Sequence, residues 1–147
     1  MATVEVTFTP LPVHVRTARL IATAVARRSG VAESLLDEVR LAVGEACSRA
    51  VEAHLRHCPG QPIRVALTND GEQFEVVVTD AVPDAEHGVP GLTASFGAGL
   101  AVGDGEVPLQ LPDGVGLAVI AGLADDVHVA SAGPGTSVTM TWKRRAG

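Results

Sequence analysis

The chain has no tyrosine, one tryptophan (Trp142) and three phenylalanines (Phe8, Phe74 and Phe96) among its 147 residues. That scarcity excludes a core built around stacked rings, so Val, Leu, Ile and Ala must fill the interior through many small contacts. Cysteine is nearly as rare. Cys47 and Cys58 form no CxxC pair and give no disulfide framework, which suits a reducing cytoplasm. Grouped positive charge is missing too. The net charge is −6, whereas a phosphate backbone needs clustered Lys and Arg, so direct nucleic-acid binding is not expected. Lys143-Arg144-Arg145 is the one dense basic run, and it is short. No apolar stretch approaches the roughly 20 residues of a membrane helix. Glu5 and Arg16 interrupt the region where a signal peptide would need an apolar run. The expectation is a soluble cytoplasmic protein.

What is present is a 46% hydrophobic composition on a length suited to one domain, here 1–147. Val4, Val6 and Phe8 alternate as a strand that Pro10 and Pro12 end. Ala18, Ile21, Ala22 and Val25 then recur at helical spacing, flanked by Arg16, Arg19, Arg27 and Arg28, until Ser29-Gly30 closes the helix. The clearest element runs from about Glu33 to His57, with Leu36, Val39, Val43, Ala46, Ala50 and His54 three or four apart. Ile63, Val65 and Leu67, then Asn69-Asp70-Gly71, then Phe74, Val76 and Val78 read as a hairpin. Regularity then stops from Asp80 to Gly114, leaving a lid-like loop, 81–113, longer than most connections in compact domains. A short helix through Leu123 and a second hairpin, with Val127, Val129, Val138, Met140 and Trp142, complete the chain. This order predicts an α+β fold: a two-layer α/β sandwich whose mixed, mostly antiparallel sheet is covered on one face by helices.

Few isolated residues suggest chemistry. His54, His57 and Cys58 at a helix end match no zinc spacing, and histidines near a helix C-terminus are favoured by its dipole; no metal site is expected there. Gly-x-Ser-x-Gly is absent. The arginines of the first helix are either a solvated face or a docking surface for an acidic partner.

Several segments together resemble the anti-sigma factors and serine kinases that share the ATP-binding fold of histidine kinases, gyrase and Hsp90. The resemblance covers nearly the whole chain, from Phe8-Thr9-Pro10 and Val15-Arg16-Thr17-Ala18-Arg19 to Gly135-Thr136-Ser137-Val138-Thr139-Met140. Its most specific part is Leu36 to Ala46, which in the family continues as Glu-Ala-x-x-Asn-Ala. There the Glu acts in proton transfer or places the reactive hydroxyl, and the Asn helps hold Mg²⁺. The resemblance implies Glu45 as the catalytic residue of any active form. At the Asn position, however, stands Arg49. Mg²⁺ demands neutral or anionic oxygen ligands, and a guanidinium offers only donors and a fixed positive charge.

The resemblance also implies that Asp80 accepts from an adenine amino group. The family follows this Asp with Gly-x-Gly; here Ala81-Val82-Pro83 follows, which is stiffer. Gly114-Val115-Gly116-Leu117 retains the family's lid-closing glycines ahead of a phosphate-facing helix N-terminus. The nucleotide-binding candidates are therefore Arg49, Asp80, Gly114, Gly116 and Leu117. The segment 81–113 holds Asp84, Glu86, Asp104, Glu106 and Asp113 with no Lys or Arg, a poor clamp for phosphate. These departures weigh against ordinary use of ATP and Mg²⁺. The implied role is an anti-sigma-type regulator that binds a sigma factor, a STAS-domain anti-anti-sigma protein, or both, with self-association as a homodimer common in the group. The alternative is an active serine kinase that phosphorylates the STAS-domain antagonist. A third reading is a signalling domain holding a different small ligand.

Overall fold

The structure, a computed structural model, describes residues 2–83, 94–97 and 112–143. Its elements run β1 (Ala2–Phe8), α1 (Pro12–Arg28), α2 (Glu33–His57), β2 (Ile63–Asn69), β3 (Gln73–Asp80), β4 (Ala94–Gly97), α3 (Pro112–Leu123), β5 (Asp126–Ala132) and β6 (Gly135–Lys143). The strands form one sheet in the order β1-β2-β3-β6-β5-β4. The sheet expected to be mostly antiparallel is antiparallel in every ladder described.

Local chemistry explains the helix ends. Pro12 opens α1, where a missing N–H costs nothing. Gly30, at φ 88°, closes it: Gly30 N–H donates to Arg27 O at 3.2 Å and Val31 N–H to Ala26 O at 3.0 Å. That pair of bonds satisfies carbonyls the helix leaves over, and Val31 is buried against the helix it ends. The long helix α2 buries a broad stripe, Leu36, Val39, Ala42, Val43, Ala46, Cys47, Ala50 and Val51. Small residues let its neighbour approach closely. The aliphatic stem of Arg19 lies over Gly44, where an added Cβ would stand 2.6 Å from Arg19 Cδ.

The helices cover one face of the sheet. In β3 every second residue, Phe74, Val76, Val78 and Asp80, is buried, as are Val65 and Leu67 in β2 and Val138, Met140 and Trp142 in β6. Phe74 and Trp142 meet with ring centroids 6.2 Å apart, and Trp142 Nε1 donates to Leu123 O at 3.0 Å. Burial of each of these rings is worth roughly 2–3 kcal/mol. These two rings thus meet at one point of a core otherwise filled mostly by Val, Leu, Ile and Ala. Among the described residues no helix is long and apolar enough to cross a membrane.

Two boundaries differ from the sequence reading. Within 81–113 the structure has β4, which extends the sheet edge by pairing Ala94–Gly97 with Asp126–Val129. Four residues are too few for an alternation to show in sequence. And α3 begins at Pro112, so Gly114 and Gly116 lie inside its first turns rather than ahead of them. The expectations for 84–93 and 98–111, including the acidic lid residues Asp84, Glu86, Asp104 and Glu106, lie outside the described residues.

Candidate functional site

The site residues expected from sequence sit on three elements. α2 carries Glu45 and Arg49, β3 ends in Asp80, and α3 opens with Gly114, Gly116 and Leu117. Helix α2 packs against both β3 and α3, which brings all three together. Glu45 and Arg49 are one helical turn apart and share a face. Glu45 is half-buried, whereas Arg49 is 5% exposed, with Nε and Nη2 sealed from water. Among the described residues no ion pair joins Arg49 to Glu45. A long cationic side chain is thus held inside the domain at the position that the sequence resemblance assigns to the Mg²⁺-holding Asn. Its chemistry does not fit Mg²⁺, because all five guanidinium N–H groups donate and none accepts.

Asp80 is 6% exposed, and its Oδ1 accepts from Val82 N–H at 2.8 Å. The turn after it is fixed at every peptide. Ala81 N–H donates to His54 Nε2 at 2.9 Å. Thr136 Oγ1 donates to Val82 O at 2.7 Å, and Val82 is itself fully buried. Asp80 pairs with Thr136 across the β3–β6 ladder. Next to it, Gly135 allows the strands to close: a Cβ there would stand 1.8 Å from Asp80 O and 2.9 Å from Ala81 Cα. Where the family pattern has glycines, this chain has a turn held by hydrogen bonds from α2 and β6.

Beside Asp80 opens a cleft of about 270 Å³, lined among others by Arg64, Thr79, Asp80, Ala81, Pro134 and Gly135. A second groove of about 270 Å³ lies between α1 and α2, lined by Pro12, Val15, Arg19, Ser48, Val51, Glu52 and Leu55. Cys47, between the helices, has its thiol pushed up to about 12 by burial, which the Arg19 charge only partly offsets. It stays protonated at neutral pH and is neither a nucleophile nor a ready metal ligand. Among the described residues no group of three His, Cys, Asp or Glu is placed to hold a metal.

The fold that carries these residues is matched elsewhere. Residues 8–142 match the histidine kinase-like ATPase domain. The chain belongs to that family. Among solved structures it resembles the RsbU and RsbW domains of Rv1364c from Mycobacterium tuberculosis, with a TM-score of 0.66 and 19% identity. The superposition covers 99% of this chain and 34% of that one, so the chain spans about a third of the protein it resembles. At that identity the likeness speaks for the fold. No curated protein sequence matches the chain.

Within this histidine kinase-like domain, the residues the sequence did not point to are those that hold Asp80. Gly135 and Thr136 belong to the resembling segment at the chain's end, but nothing in their spacing ties them to Asp80. His54 carries a signal in hindsight. It occupies the apolar stripe of α2 and is fully buried, a place where a histidine needs partners for both ring nitrogens. Both are used by main chain, Nδ1 at 2.9 Å from Gln61 O and Nε2 on Ala81.

Proposed function

We propose that this domain acts as an anti-sigma-type regulator that grips protein partners, a sigma factor, a STAS-domain anti-anti-sigma protein, or both, with ATP use weakened or lost. The observation that carries the reading is Arg49, a buried guanidinium at the position where the family places a Mg²⁺-holding Asn. Phosphoryl transfer from ATP relies on the metal to neutralise charge between the phosphates, and Arg49 repels that metal rather than binding it. Without metal, the fold retains what partner recognition needs: a rigid scaffold and a charged surface.

α1 supplies that surface. Arg16 and Arg28 are exposed, Arg19 is half-buried, and none of the three makes an ion pair among the described residues. Around them Leu11, Val13 and Leu20 are exposed, and the groove between α1 and α2 ends at Leu55, also exposed. Exposed apolar side chains beside the arginines of α1 suit a partner with an acidic, partly apolar face, because charge steers the encounter and apolar area holds the complex.

The test is direct binding. Calorimetry against the sigma factors and STAS-domain proteins of the source cell is expected to find a partner, and Arg16→Glu with Arg19→Glu is expected to weaken it by about tenfold or more. If none of these proteins binds, the reading fails. A second reading, a serine kinase acting on the STAS-domain antagonist, is kept open by Glu45, which is retained and shares a helix face with Arg49. Incubation with labelled ATP, Mg²⁺ and the antagonist decides: strong transfer that Glu45→Ala abolishes would replace our reading. Arg49→Asn is expected to raise affinity for ATP with Mg²⁺.

A further inference from the structure

His54 is buried at the last turn of α2, yet both its ring nitrogens meet main chain from two other segments. Gln61 O, just before β2, can only accept, and Ala81 N–H, just after β3, can only donate. The ring is therefore fixed as the neutral tautomer with its proton on Nδ1 and a bare acceptor at Nε2. The bond to Ala81 lies one residue from Asp80, whose own Oδ1 is held by Val82 N–H. Ala81, next to the carboxylate, is thus pinned from α2, and Val82 by the carboxylate itself.

We propose that His54 is the positioning residue of this pocket: through Ala81 N–H it sets where the Asp80 carboxylate points, taking over the shaping that the family's glycines perform. A glycine turn adopts its shape from backbone freedom and can readjust around a ligand. A turn pinned by an imidazole is preset, and the pocket edge is coupled to the C-terminal end of α2 and to the residues that lead into β2. The inference rests on Asp80 being the carboxylate of the site, but not on nucleotide or partner binding.

Two substitutions split the clamp. His54→Gln keeps an acceptor near the position of Nε2 and so keeps Ala81, while His54→Asn keeps a donor near Nδ1 and so keeps Gln61. Three readouts on the full chain are needed: the imidazole ¹⁵N shifts of the wild type, hydrogen exchange at Ala81, and the ¹³C resonance of the Asp80 carboxyl. We expect a protonated Nδ1, exchange at Ala81 faster by roughly tenfold in His54→Asn, from loss of one buried hydrogen bond, and an Asp80 signal that moves in His54→Asn but stays in His54→Gln. Equal behaviour of the two variants, in either direction, overturns the proposal, as does a wild-type ring protonated at Nε2. None of these outcomes depends on ATP or a partner, so a failure here leaves the proposed function to its own test.

Discussion

Strand β3 is bracketed by two aspartates that use the same device in opposite settings. Asp70, in the turn leading into it, accepts on Oδ1 from Glu72 N–H and Gln73 N–H, both at 2.9 Å. Asp80, at its other end, accepts on Oδ1 from Val82 N–H at 2.8 Å. In each case a short carboxylate bonds main chain two residues on. Asp70, however, is exposed, and the side-chain bonds described for its turn come from its own neighbours: Asn69 Oδ1 takes Gly71 N–H at 3.1 Å, and Gly71 adopts φ 93°. Asp80 is buried, and its turn is finished by His54 and Thr136, 27 and 54 residues away from the atoms they bond. A turn shaped by its own side chains is a connector. One that is held from two other elements, beside a cleft, is a place where the fold maintains a shape for use.

The sharpest way to break this contrast is at Gly135. An alanine there would push Cβ into the Asp80 carbonyl and the Ala81 Cα, both main chain with no rotamer to yield. We expect Gly135→Ala to cost about 3 kcal/mol or more in chemical denaturation, if it folds at all. Gly60→Ala, where an added Cβ meets nothing within 4 Å, is expected to stay within about 0.5 kcal/mol of wild type. Similar losses at both sites would show that the close approach of β6 to Asp80 is not a constraint.

Thr136 comes next. Its hydroxyl is the donor to Val82 O in a site closed to water, so Thr136→Val keeps the shape and strands a buried carbonyl. The expected loss is about 1–3 kcal/mol in the same unfolding measurement, and Thr136→Ser should recover most of it. If Ser and Val behave alike, the hydroxyl is not what fixes the turn.

The same contrast explains what could be read from the chain. α2 was legible to its ends at Glu33 and His57, because a 25-residue apolar stripe writes its period many times over. The Asn69-Asp70-Gly71 hairpin was legible because the bonds from Asn69 and Asp70 that shape it are local. Arg49 stood out because one residue type is chemically incompatible with Mg²⁺ wherever the helix points it. The Asp80 turn was not legible. Its sequence, Ala81-Val82-Pro83, lacks every common turn former except the proline, and its shape is imposed by a histidine on α2 and by β6. Sequence spacing cannot reveal bonds that exist only after the sheet has assembled. Nor could it give β4, a four-residue edge strand defined by its partner β5.

Gly71 tests the Asp70 end. Its φ of 93° suits glycine, but nothing lies within 4 Å of an added Cβ. Gly71→Ala should therefore cost only backbone strain, about 1 kcal/mol, and leave the Asp80 region untouched. Amide spectra are the check: shifts confined to Asn69–Gln73 keep the two ends independent, whereas shifts reaching Ala81 would join them.

The smallest effect is expected from the Asp70 charge. The N–H groups of Glu72 and Gln73 hold its carboxyl below the ordinary value of 3.8 in the folded protein. The sign follows from linkage. A lowered folded pKa means the unfolded chain binds the proton more readily, so the contribution is fully present above the unfolded value and is lost as pH falls through the folded one. Asp70→Asn keeps an oxygen that accepts from both N–H groups but cannot titrate. Its stability profile should therefore be flatter than wild type on the acid side of pH 4, with little change at neutral pH, because the group is exposed and water screens it. Unfolding curves collected from pH 7 down to pH 2 decide the matter. A variant that loses stability with acid as steeply as wild type would mean that the main-chain bonds to Asp70 are not favoured by its charge. The turn would then be held by Asn69 and Gly71 alone, and the likeness between the two aspartates would be one of geometry without shared energetics.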